Sequence, residues 1–114
     1  MKRQAPYIPR YGDIVWLDFN PTRGHEQAGY RPALVVSATE FNRHFDLVFV
    51  CPITSRKRDH AFEVELGEIQ TRGVVLAHQV RTIDARKRKV RFVEQVPQEV
   101  VEEVVGLIGR ILGR

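Results

Sequence analysis

The chain has 114 residues, 43% hydrophobic and 28% charged, with a formal net charge of +4 and a single cysteine, Cys51. That is the length of one domain with one core; the composition is that of a globular rather than a disordered chain, and a single cysteine excludes an intrachain disulfide. No apolar run reaches the ~20 residues that cross a bilayer, the opening MKRQAPYIPRYG has no apolar signal-peptide stretch, and a reducing, cytoplasmic setting is expected.

Residues 1–11 read as a flexible N-terminal extension of a single domain spanning 1–114. The first strand is expected at 14–19, where DIVWLDF is rich in β-branched and aromatic residues. A polar, turn-rich stretch follows, NPTRGHEQAGYRP, before the next apolar run at 33–37. Loops anchored by strands are where binding and catalytic groups collect, so His25, Glu26, Gln27, Tyr30 and Arg31 stand out here. Arg31 precedes Pro32, which pushes its backbone toward an extended conformation at a strand mouth. A short helix is expected at 39–45, then a strand at 47–53 whose LVFVCPI is apolar throughout and therefore buried on both faces. FEVEL at 62–66 alternates apolar and acidic, as a half-buried strand does. Further strands are expected at 74–77 with 80–83 and at 90–93. From 97 to 112, Val100, Val101, Val104, Val105, Ile108 and Leu112 recur at steps of three and four, which predicts an amphipathic helix. So many short strands followed by one helix predict a mainly β fold, a small antiparallel barrel with a C-terminal α-helix.

The histidines, His25, His44, His60 and His78, are scattered without ligand spacing or a second cysteine, so no metal or other cofactor is expected. Cys51 sits in VFVCPI, where a thiol acts as a small buried hydrophobe; a Cys51–His78 nucleophile pair is the alternative. Phosphate-cradling glycine loops are absent. In PITSRKR, Thr54 and Ser55 run into Arg56, Lys57 and Arg58. Hydroxyls beside guanidinium groups suit phosphate oxygens, and a capped turn with a wet charged face explains the same residues. His78 and Gln79 interrupt an apolar strand, as a buried hydrogen-bonded polar pair would. The cations cluster at 56–58 and 86–89, the local pattern of a polyanion-binding surface.

GDIVWLDFNPTRGHEQAGYRPALVVS, followed in order by VCPITS, FEVEL and GVVLAHQVRTID, resembles the MazF/PemK family of toxin endoribonucleases from bacterial toxin–antitoxin pairs. The resemblance runs from Gly12 to about Asp84. It implies an SH3-like barrel of the PemK and CcdB type forming a two-fold homodimer. It also implies metal-independent, sequence-specific cleavage of single-stranded RNA, chiefly mRNA, leaving a 2′,3′-cyclic phosphate and a 5′-hydroxyl. A cognate antitoxin of the MazE kind, with an acidic disordered tail, is the implied protein partner. The family's catalytic arginine and threonine correspond to Arg31 and Thr54; Glu26 and Gln27 match its EQ pair, and Gln79 the Gln of its DQV segment. His78 stands where many relatives carry Asp, which puts the local charge in question.

The residue inventory fits such a reaction. The nucleophile is the RNA's own 2′-hydroxyl, so the protein must hold an in-line geometry and stabilise phosphorane charge. Arg31 suits the second task, because its fork matches two oxygens and it stays charged; Thr54 would donate to a non-bridging oxygen. Glu26 is either the proton acceptor or the partner that orients Arg31. Ser55, Arg56, Lys57, Arg58, Gln27, His78 and Gln79 complete the expected RNA surface, with Phe19, Tyr30 and Phe45 as stacking rings. A non-catalytic toxin or binding module on the same barrel, a gyrase poison or an RNA-binding barrel, is the alternative.

Overall fold

The computed structural model describes residues 6–21 and 24–114. Seven strands form one antiparallel system: β1 (Asp13–Asp18), β2 (Tyr30–Val35), β3 (Leu47–Thr54), β4 (Glu63–Glu65), β5 (Val74–Leu76), β6 (Arg81–Asp84) and β7 (Arg91–Gln95). Helix α1 (Thr39–Phe45) links β2 to β3, and α2 (Gln98–Ile111) ends the fold. The spatial order is β4-β5-β3-β2-β1-β7, with β6 also on β3. Mainly antiparallel β structure with a C-terminal helix is what the sequence predicts.

β3 is the hinge of the architecture. Its first half pairs with β6 (Val48↔Ile83) and its end pairs with β5 (Ile53↔Val75). A single 3₁₀ turn, Ala77–Gln79, carries the chain from β5 to β6, so His78 and Gln79 interrupt an apolar run because the strand itself is broken there. Pro52 sits at the switch between the two partners, where a missing amide does least harm to a ladder.

Two buried clusters lie on opposite faces of β1 and β2. Ile14, Leu34, Cys51, Ile53 and Val75 meet Val101 and Val104 of α2 on one side. Val15, Leu17, Phe19, Ala33, Val35, Val50 and Ile83 fill the other. Alternate residues of β1 and β2 feed different clusters, which is why both strands are apolar nearly throughout. Each fully buried Val, Leu or Ile contributes about 1.5–3 kcal/mol.

Residues 6–11, part of the expected extension, hydrogen-bond to this body. The Tyr7 hydroxyl and the Arg10 amide donate to the buried Asp13 carboxylate, and the Tyr11 amide donates to Thr39 Oγ1 at 3.0 Å. The buried Asn42 side chain donates to the Pro9 carbonyl at 2.8 Å. A buried carboxylate needs such donors, and the extension supplies them; residues 1–5, the rest of the expected extension, lie outside the described residues.

Candidate active site

The site begins with a ladder that stops early. β2 starts at Tyr30, three residues before the expected strand, so Arg31 lies within it. The Val36 amide donates to the Phe49 carbonyl, and the same two-residue repeat assigns Pro32 the bond to Ile53. Proline has no N–H to give. The Ile53 carbonyl instead faces Arg31 Nη1 at 3.5 Å, while Arg31 Nε donates to the Ala28 carbonyl at 2.9 Å. These two contacts hold the guanidinium at the strand ends. The Ala33↔Pro52 register, carried two residues on, sets Arg31 opposite Thr54, the last residue of β3.

Arg31, Thr54 and Ser55 line one cavity of about 510 Å³, with Trp16, Tyr30 and Arg72. Tyr30 is 57% exposed and stacks on Trp16 at 5.4 Å, nearly parallel, which presents a flat ring at the mouth. Thr54 Oγ1 accepts the Arg56 amide at 3.1 Å, which leaves its hydroxyl proton directed elsewhere. Gly73 presses on the Thr54 backbone: a Cβ there would stand 2.3 Å from the Thr54 carbonyl oxygen, and its φ of +121° belongs to glycine.

A second cavity of about 400 Å³ adjoins the first and shares Thr54. Arg56, Arg58, His60, Glu63 and His78 line it, and Glu26 and Gln27 enter from the β1–β2 loop. That loop is held by the 3₁₀ turn: Gln79 accepts the Gln27 amide at 2.8 Å and donates to the His25 carbonyl at 3.3 Å. Its base is pinned by Arg81, which donates to the Phe19 carbonyl at 3.2 Å, and by Arg88, which donates to the Asp18 carbonyl at 2.9 Å.

Most expected residues therefore gather at one place, and five change character. Phe19 is not a stacking ring; it is 1% exposed, packed in the core with the Arg81 guanidinium 5.6 Å from its ring centre. Gln79 uses its amide on the loop backbone and acts as a brace. Lys57 lies outside both cavities and pairs with Glu65 and Asp59. His78 is exposed, not half of a buried polar pair, and its ring meets His60 edge-on at 4.8 Å. Partial desolvation of the otherwise exposed ring holds His78 below the ordinary histidine value, His60 adds to that, and Glu63 opposes it. Phe45 is exposed but packs on Phe41 of α1 and lines neither cavity. Cys51 is fully buried, its thiol pushed up to about 12 by burial, which removes the cysteine-nucleophile reading. Among the described residues no three His, Cys, Asp or Glu side chains group as a metal site.

Sequence reasoning missed Trp16, Arg72 and Gly73. Trp16 carried a signal, a lone large ring in a strand of branched aliphatics; Arg72 and Gly73 carried none, since only the β3–β5 pairing brings them to Thr54.

Comparison with known proteins identifies the family and the fold. Residues 10–112 match the family model for PemK-like, MazF-like toxins of type II toxin–antitoxin systems. The endoribonuclease toxin MazF of Escherichia coli (strain K12) is 36% identical over 107 residues, covering 94% of this chain and 96% of that protein. The crystal structure of MazF from Deinococcus radiodurans superposes with a TM-score of 0.91 at 43% identity, covering 96% of this chain and 100% of that one. A MazE–MazF structure from the same organism superposes at 0.84 and 43% identity, covering 95% and 98%. The chain belongs to the PemK-like, MazF-like family of toxins of type II toxin–antitoxin systems.

Proposed function

We propose that this chain is the toxin of a toxin–antitoxin pair and a metal-independent endoribonuclease that cuts single-stranded RNA, chiefly mRNA, in the cytoplasm. The observation that carries this reading is the placement of Arg31 and Thr54 at facing strand ends on one cavity beside an exposed aromatic ring. A phosphodiester seated there takes two charge-assisted contacts from Arg31 and one hydroxyl contact from Thr54. The ribose 2′-oxygen attacks phosphorus, its proton passes to the Glu26 carboxylate, and the 5′-oxygen leaves with a proton from solvent. The products are a 2′,3′-cyclic phosphate and a 5′-hydroxyl.

Arg31 acts as an electrostatic stabiliser. Its pKa above ~12 makes it a poor acid, whereas its fixed charge meets the developing phosphorane charge without reorganisation. We assign Glu26 to proton acceptance rather than to orienting Arg31, because the Ala28 and Ile53 carbonyls already orient the guanidinium and Glu26 lines the adjoining cavity on Thr54. Tyr30 stacks a flanking base. A homodimer, and an antitoxin whose acidic tail competes for this cationic trough, complete the proposal. The test is an RNA carrying 2′-deoxyribose at the scissile nucleotide. It should bind and stay intact while the all-ribose strand is cut; cleavage of the modified strand, or loss of activity with EDTA, refutes the reading.

A further inference from the structure

The second cavity holds an arrangement that the proposed cleavage does not use. Glu63 is almost fully buried, its side chain 3% exposed. Its carboxylate accepts the backbone amides of Arg58 and Asp59 at 2.8–3.1 Å, which fixes the 56–60 loop over the cavity. His60 is set by two contacts. The Phe62 amide donates to its Nδ1 at 3.2 Å, so the ring proton sits on Nε2, which points to Glu63 at 3.5 Å. His78 has no such restraint, and its ring stands edge-on against His60.

We propose that His78 is the proton-accepting cation of a second phosphate subsite, one that binds a phosphodiester next to the scissile one and takes up a proton as RNA arrives. The subsite rests on the ribonuclease reading above. Thr54 faces both cavities, so a strand lying across Arg31 leads directly into this one. Arg56 and Arg58 line the same wall and supply fixed positive charge for a backbone phosphate. The other titratable groups facing His78 are His60, His25, Glu26 and Glu63. In the free protein burial, then the neighbouring His60, hold His78 below the ordinary histidine value, with Glu63 opposing. A phosphate beside the ring reverses that balance, since an opposite charge at contact favours the protonated form. The sign follows: His78 has the higher pKa in the complex, so affinity rises as pH falls through that value and levels off below the free-protein value.

The test measures binding of a 2′-methoxy copy of the RNA that the protein cuts, by anisotropy at pH 6 and pH 8 and constant ionic strength. The wild type should bind about tenfold more tightly at pH 6, as a mean uptake of about half a proton across that interval requires. His78→Gln should bring that ratio within about twofold, while His44→Gln, which does not line the cavity, keeps it. Calorimetry of the wild type at pH 7, in two buffers of different ionisation enthalpy, should show proton uptake and needs no variant. A ratio that survives His78→Gln, a flat wild-type profile without proton uptake, or a ratio removed by His25→Gln alone each overturns the proposal. Incubation with the unmodified RNA separates the two readings. If the wild type cuts it but the binding ratio is flat, only the subsite fails; if no fragments form at either pH, the ribonuclease reading fails.

Discussion

Two cavities of this chain have nearly the same volume, about 520 and 510 Å³, and both are lined by arginine and an aromatic ring. In the first, Arg43 pairs with Glu40, Arg86 lies 3.5 Å from Asp46, and the Tyr7 hydroxyl is bonded to Asp13. Arg43, Arg86 and Tyr7 thus each face a carboxylate. In the second, Arg31 bonds to the neutral Ala28 and Ile53 carbonyls, which fix its position without cancelling its charge, and the Tyr30 ring stays open to solvent. Size and basic composition do not separate a structural cleft from a reactive one. The direction in which the charges are satisfied does.

That contrast can be broken in several ways. The largest effect is expected from Arg31→Ala, which should lower the cleavage rate a hundredfold or more, about 3 kcal/mol, whereas Arg86→Ala in the first cavity should stay within about twofold. Thr54→Val should cost roughly tenfold to a hundredfold and Thr54→Ser much less, because serine keeps the hydroxyl. Both are read as initial rates on a defined transcript.

Gly73→Ala acts on the same cavity through the backbone. With φ at +121° and the Thr54 carbonyl in the way, it should cost about 1–3 kcal/mol in thermal unfolding and reduce cleavage by moving Thr54. Tyr7→Phe, in the first cavity, should cost about 1 kcal/mol of stability and leave cleavage unchanged. Burial, then the Asp13 bond, raises the Tyr7 hydroxyl above its ordinary value near 10. Its contribution is therefore present below pH 10 and is lost above it, so alkaline melting of wild type and Tyr7→Phe should converge. The smallest signal concerns Cys51, which should resist thiol reagents in the native state and react only on unfolding.

Much of the site was readable from sequence because local chemistry fixed it. Pro32 ends the ladder and directs Arg31; the TSRKR run places hydroxyls and cations on the strand exit; α1 falls at Thr39–Phe45, the expected span. What failed depended on long-range pairing. Phe19 looks like a loop-edge aromatic, yet its place in the second core cluster is set by β3 and β6. His78 looks buried because its neighbours are apolar, but the 3₁₀ turn that rotates it outward arises from β3 changing partner. The meeting of His60 with His78 links residues from either side of β4 and β5, and no spacing rule encodes it.

The most direct test of the account is a double-mutant cycle on Arg31 and Thr54, read as the rate of cleavage of one RNA with its fragment ends defined. If both side chains act on a single phosphodiester, the Arg31→Ala, Thr54→Val chain should lose clearly less than the product of the single losses, a coupling of at least about 1 kcal/mol. Losses that simply multiply would mean that the two residues act at separate places, and would contradict the convergence on which the account depends.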